Sequence, residues 1–224
     1  MSLDPRRHGG DFLAGTPWVA AQPWMAYLVT SADAGGLPWT VLLSMARQES
    51  GPWWMRGAEI PERVEPHLDP PDRSIGILQI LTRTAAEVVG GEELDGIPID
   101  QVLRSPASNL HIGAMYLRSR WDAYGEIPDA VERLWCAIAA YNAGRGNVNQ
   151  ALSLARAAEG MPAGYGDWDS QGREPGKWQT LEYWGAFLPK VTGDSAGITL
   201  DYLGHVRHWS GELALLAELH PLAT

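Results

Sequence analysis

The chain has 224 residues, 17 basic against 27 acidic side chains for a net charge of −10, and 45% apolar residues. That is enough to fill one core and too apolar for a disordered chain, and the 25 Gly and 16 Pro mark a loop-rich globular protein. The acidic balance, with Lys177 and Lys190 as the lysines, opposes a non-specific grip on nucleic acid, and the single Cys136 excludes an intramolecular disulfide. No apolar run approaches the roughly 20 residues of a membrane helix, so no membrane insertion is expected. Residues 1–29 lack the basic head, apolar middle and small-residue cleavage site of a signal peptide. Trp and Tyr, 11 and 7 against 2 Phe, suit both a packed core and stacking on sugar rings.

In chain order, Thr16 before Pro17 predicts a first helix over about 17–33, ended by Gly35-Gly36. Pro38 opens the next, with Trp39, Leu42, Leu43 and Ala46 as its buried stripe, and Gly51-Pro52 stops it, which places Glu49 at a helix end. The stretch 51–73, with five prolines, two adjacent Trp and five acidic residues, reads as a long surface loop. Helix resumes over 82–90. Ser105-Pro106 starts another helix, closed by Gly125, and a strongly apolar helix over about 129–141 reads as central. After a turn at 142–146, an amphipathic helix is predicted over 148–159, then a Gly/Asp/Pro-rich excursion over 160–177. Two closing helices, about 178–188 and 199–217, follow. With no repeat and no linker, the expectation is a single domain over 1–224.

Three segments end or interrupt helices with polar residues of catalytic type: Arg47-Gln48-Glu49-Ser50, Gly76-Ile77-Leu78-Gln79 and Ala140-Tyr141-Asn142-Ala143-Gly144. Together with Thr84-Ala85, Asn109-Leu110, Gly113 and Tyr116-Leu117, they stand in one order along the chain. That order resembles the soluble lytic transglycosylase family of the lysozyme-like superfamily. Its pattern runs Glu-Ser, Gly-Leu-Met-Gln with a following Thr-Ala, an Asn-Ile…Gly…Tyr-Leu helix, and Ala-Tyr-Asn-Ala-Gly. The match spans about 37–150, with 151–224 as a C-terminal helical elaboration and a weaker trace at Thr199-Leu200-Asp201-Tyr202.

The resemblance implies a mainly α-helical, lysozyme-like domain with a substrate cleft and long loop insertions. It also implies a cofactor-free, metal-free activity: cleavage of the bond between N-acetylmuramic acid and N-acetylglucosamine in peptidoglycan, leaving 1,6-anhydro ends. In the family one Glu protonates the glycosidic oxygen and then deprotonates the muramic acid C6 hydroxyl, which attacks C1 of its own sugar. The built-in nucleophile replaces a second carboxylate. Glu49 is the matching residue, and burial near apolar side chains such as Leu43 and Met45 would raise its pKa.

The remaining site residues carry over in the same way. Gln79 maps onto the family's site glutamine, with an amide able to serve an N-acetyl group or the catalytic carboxylate. Gly76 is the residue where backbone would approach sugar, and Tyr141 would orient Glu49 or bond substrate. Asn142 either binds sugar or fixes the turn, Ser50 either supports a loop or contacts substrate, and Tyr202 is the weakly aligned C-terminal tyrosine.

The chain departs from the pattern in its loop, since Gly76 lies 27 residues after Glu49. If Glu59, Glu65, Asp69 or Asp72 stood roughly 6.5–9.5 Å from Glu49, an inverting, lysozyme- or chitinase-type hydrolase would result. The alternative for that loop is solvated charge. A further reading, a silent glycan-binding component of a phage tail or secretion apparatus, is opposed by the intact Glu49, Gln79 and Tyr141. Delivery by a phage particle would reconcile the acidic charge with the missing leader. His8, His67, His111, His205, His208 and His220 form no ligand motif with Cys136, and no phosphate-binding, dinucleotide or serine-nucleophile signature is present.

Overall fold

Helices carry most of the chain because their apolar positions recur at helical spacing and glycines stop them. The computed structural model describes residues 22–160 and 176–219, with side chains to 211. These residues fall into two compact units, one made of 22–116 with 205–219, the other of 117–160 with 176–204.

In the first unit α1 (Met25–Gly35) starts after Trp24, eight residues later than the sequence pattern suggests. Gln22–Trp24 is not helical, and Pro23, which has no N–H, precedes the first turn. The expected start at Thr16-Pro17 lies outside the described residues. Gly36, at φ 60° and ψ 37°, turns its N–H back onto the Ala32 and Asp33 carbonyls, and the Leu37 N–H follows onto Ala32 at 2.8 Å, closing the helix. After extended Pro38, α2 (Trp39–Trp54) begins.

Residues 41–47 of α2 are all buried, so these two turns are hidden on every side. It also runs through Gly51-Pro52, where a stop was expected. Side-chain donors also reach two carbonyls of the turns before the proline: Trp54 Nε1 reaches Ala46 at 3.4 Å, and Arg63 Nη2 reaches Glu49 at 3.1 Å. Pro52 sits in the last turn, where few hydrogen bonds remain to be lost. Glu49 therefore lies inside a helix, not at its end.

The segment read as loop contains an antiparallel sheet. β1 (Arg63–Glu65) pairs with β2 (Asp72–Ile75) in the register Arg63 to Ser74 and Glu65 to Asp72. β2 pairs in turn with β3 (Ile80–Leu81), Ile75 opposite Ile80. α3 (Thr82–Val89) follows directly and is closed by Gly90 at φ 82°. A second hairpin, β4 (Glu93–Leu94) and β5 (Ile97–Pro98), turns on Asp95-Gly96, both at positive φ. α4 (Ile99–Val102) and α5 (Pro106–Asp122) complete this part of the chain, α5 starting at the expected proline.

In the second unit α6 (Ala130–Ala143) is capped by Asp129, whose Oδ1 accepts from the Val131 and Glu132 N–H groups at 2.8 and 3.0 Å. Residues 134–140 of α6 are buried, as expected of a central helix. Only Gly144, at φ 86° and ψ 140°, separates α6 from α7 (Arg145–Ala158), so the expected five-residue turn shrinks to one residue. The expected helix over 178–188 is instead a chain of single turns: Lys177–Gln179, α8 (Leu181–Trp184), Gly185–Phe187 and α9 (Leu188–Thr192). Extended Thr180, Gly185 and Pro189 interrupt it. Trp178, Trp184 and Leu188 are fully buried there. α10 (Ala196–Leu219) is the last helix among the described residues. Among the described residues no helix is long and apolar enough to cross a membrane.

Candidate active site

Four consecutive residues of α2 each engage the surrounding structure. Arg47, 5% exposed, lays its guanidinium 4.4 Å from the centre of the Trp209 ring. The Gln48 Oε1 stands 3.1 Å from His205 Nδ1. Glu49 is half-buried, and its backbone carbonyl accepts from Arg63. Ser50 is fully buried, and its hydroxyl donates to the Ile77 carbonyl at 2.6 Å, with Ala46 O at 3.3 Å. Of the two roles weighed for Ser50, loop support is the one this geometry fills.

Ile77 belongs to the four-residue turn between β2 and β3. Gly76 takes φ 79°, and Gln79 takes φ 45°, a left-handed conformation that costs a non-glycine residue energy unless its surroundings hold it. They do: Gln79 Nε2 donates to Gly76 O at 2.8 Å and Pro61 O at 3.4 Å, and Oε1 accepts from Ser74 Oγ at 3.3 Å. At 7% exposure the Gln79 amide is spent on the turn itself.

Asn109 locks the same turn from within. Its Nδ2 donates to the carbonyls of Ile75 (2.8 Å) and Leu103 (3.1 Å), and its Oδ1 accepts from the Leu78 N–H at 2.9 Å. A Cβ on Gly76 would stand 2.3 Å from Asn109 Nδ2, and one on Gly113 would stand 2.3 Å from Leu78 Cδ1. Asn109 therefore fills the space into which a Gly76 side chain would point, and Gly113 lets α5 approach the turn. Motif residues far apart in the chain, Ser50, Gly76, Gln79, Asn109 and Gly113, are parts of one packed joint that holds the turn against the helix bearing Glu49.

The acidic loop is largely committed to partners. Asp72 is buried in an ion pair with Arg83 (Nε to Oδ2, 2.7 Å), accepts from Thr82 Oγ1, and receives the Arg73 N–H at 2.7 Å. Burial alone would raise its pKa, but the Thr82 hydroxyl, the Arg83 guanidinium and the backbone N–H groups outweigh that and hold it below its ordinary value. Glu62 pairs with Arg104 and, at 3.6 Å, with Arg73. Glu65 Oε1 lies 3.3 Å from Ser74 Oγ, whose one proton it shares with Gln79 Oε1, and Oε2 lies 3.7 Å from His67. Glu59 and Asp69 are exposed. Arg63 lies 5.0 Å above the Trp53 ring while bonding the Glu49 carbonyl, so β1 is clamped to the end of α2.

In the second unit Tyr141 and Asn142 sit in the last turn of α6. Tyr141 is half-buried. Asn142 is exposed, and its Oδ1 accepts from the Thr199 hydroxyl at 2.9 Å, which fits the turn-fixing role. Tyr202, a residue of α10, is 3% exposed. Deep in this unit, burial raises the pKa of the Cys136 thiol, helped by Glu132 and Glu126, and likewise that of the Tyr124 phenol. Among the described residues no three His, Cys, Asp or Glu side chains converge as metal ligands would.

Arg63, Asn109 and His205 had not been singled out as site residues from the sequence. Asn109 stood in the motif without a role, Arg63 carried no signal beyond its charge, and His205, once it failed as a metal ligand, carried no other role in the site. The one available clue to His205 was its place in the helix that follows the Thr199-to-Tyr202 trace.

A mainly helical lysozyme-like domain, with a glutamate on a buried helix joined to a Gly-to-Gln turn, is the class that this fold and site define. The family model described as Transglycosylase SLT domain matches residues 27–162, and the chain belongs to that family. Curated relatives include the membrane-bound lytic murein transglycosylase F of Pseudoalteromonas translucida, 27% identical over 88% of this chain and 35% of that protein. The proteins of the same name from Marinobacter nauticus and Shewanella halifaxensis are 28% and 31% identical over 70% and 66% of this chain, and each match takes in 24% of the relative. The chain thus spans about a third or less of the length of these relatives.

Proposed function

We propose that the protein is a lytic transglycosylase of peptidoglycan glycan strands, with Glu49 as its single acid and base. The observation that carries this reading is the position of Glu49, within the residues matched by the family model and on a helix held at Arg47, Gln48 and Ser50. Of the acidic residues that follow it in the chain, Glu62 is paired with Arg104 and Arg73, Glu65 lies against Ser74 and His67, and Asp72 is paired with Arg83, while Glu59 and Asp69 are exposed. A hydrolase of inverting type needs a second carboxylate ready to activate water. Asp72 in particular is paired and held ionised by Arg83 and Thr82, which makes it a poor base.

In the proposed reaction the Glu49 carboxyl donates its proton to the glycosidic oxygen as the bond from C1 breaks. The resulting carboxylate takes the proton of the C6 hydroxyl, and the C6 oxygen closes on C1. The proton count balances without water, and the glutamate ends as it began. The names of the relatives support murein as the substrate, and their description as membrane-bound supports action at the cell wall. A net charge of −10 does not favour adhesion to an anionic wall, which supports delivery by a particle or secretion apparatus.

Mass spectrometry of fragments released from purified peptidoglycan tests the reading. Anhydro-ended products from the unaltered protein, absent with Glu49→Gln, are expected. Reducing-end products would move the reading to a hydrolase, and an unchanged yield from Glu49→Gln would remove Glu49 from its role.

A further inference from the structure

Outside the residues that the motif assigns, the first unit holds a clasp made of two neighbours on α2 and two residues of α10. His205, 8% exposed, faces Gln48 through Nδ1 at 3.1 Å. Its ring stacks on Trp209 with centroids 5.2 Å apart and an interplanar angle of 19°. Trp209, 4% exposed, carries the Arg47 guanidinium 4.4 Å from its ring centre. His205 and Trp209 are four residues apart on one helix face, and Arg47 and Gln48 are adjacent, so the contacts interlock two by two.

We infer that His205 is a positioning residue for Glu49, acting through a hydrogen bond from its Nδ1–H to the Gln48 side chain. A glutamine Oε1 can only accept, so the proton of this bond belongs to His205 Nδ1. The stack on Trp209 fixes the plane of the imidazole, and Arg47 on Trp209 prevents the ring pair from sliding. Gln48 is thereby tied on one side of Glu49, as Ser50 is tied to Ile77 on the other and the Glu49 carbonyl to Arg63. A carboxyl that must deliver and retrieve a proton within one turnover gains from such a fixed backbone, because small misplacements at the reacting centre cost rate steeply. The inference rests on the reading of Glu49 given above.

Two substitutions separate the bond from the packing. His205→Phe keeps an aromatic ring for Trp209 and removes the donor. His205→Asn loses the ring and keeps an N–H close to the Nδ1 position. On soluble uncrosslinked glycan strands, His205→Phe is expected to lower kcat about tenfold with KM within about twofold, at a nearly unchanged melting temperature. His205→Asn is expected to melt earlier yet recover most of kcat. Gln48→Met removes the acceptor without touching the stack and is expected to match His205→Phe, which covers the case in which His205→Asn does not fold. Wild-type kcat in both His205→Phe and Gln48→Met would overturn the inference, as would activity in the three variants that simply follows melting temperature. If the unaltered protein releases no anhydro products, or Glu49→Gln still does, the underlying reading fails instead.

Discussion

The motif residues of the two units are built in opposite ways. In the first, Ser50, Gly76, Gln79 and Asn109 are turned inward, each bonded or packed against another, so that the motif describes a joint. In the second, Tyr141 and Asn142 ride the end of α6, half-buried and exposed, and Asn142 accepts from the Thr199 hydroxyl. The difference teaches that a short motif mixes two kinds of information. Some of its letters are there because the backbone could not otherwise take its path, and others because a surface must present a particular group.

That contrast can be broken or sharpened by substitution. The largest effect is expected at Gly76→Ala, where a positive φ and a 2.3 Å approach to Asn109 combine. Denaturant unfolding should show a loss of about 3 kcal/mol or more, and a loss below about 1 kcal/mol would mean that the joint yields easily. Next comes Asp72→Asn, which removes a charge held by Arg83, Thr82 and backbone N–H groups and should cost about 1–3 kcal/mol near neutral pH. Because the folded carboxyl titrates below its ordinary value of 3.8, its stabilising contribution is complete above that value and fades as the pH falls through the folded pKa. The gap between the two proteins should therefore narrow below about pH 4, and a gap that stays constant down to pH 2 would contradict the assignment. The smallest effect is expected for Asn142→Ala, about 0.5–1 kcal/mol, since its bond to Thr199 lies at an exposed residue. A loss as large as that of Gly76→Ala would abolish the contrast.

Much of the helical framework was legible, and the reason is local. Pro38, Pro106 and the Gly35-Gly36 pair act within a turn of where they stand, so the boundaries they set are close to those observed. The misreadings came where distant groups decide. Pro52 does not stop α2, whose end is tied to distant groups, Trp54 packing on Trp24 and Arg63 bonding the Glu49 carbonyl. Arg63–Glu65 has no strand-like alternation of its own and is a strand because Asp72–Ile75 lies beside it. The Asp95-Gly96 pair was a local signal that went unused, although that dipeptide favours the positive φ angles a tight hairpin turn requires. In the site, the order of the motifs located Glu49 and its neighbours in the chain. It did not distinguish residues facing solvent from residues facing Asn109, because that depends on packing between segments tens of residues apart. Six of the described tryptophans are buried, which agrees with a core role for most of them.

The small hairpin of β4 and β5 has a practical consequence. Its four strand residues are all exposed, and a Cβ added at Gly96 would meet nothing within 4 Å. Its tip is thus a natural grafting point, where an affinity tag or fluorophore-bearing loop inserted between Asp95 and Gly96 would extend into open space. Such a handle would allow the protein to be immobilised or followed on cell-wall material without altering either end of the chain or any residue of the joint around Glu49.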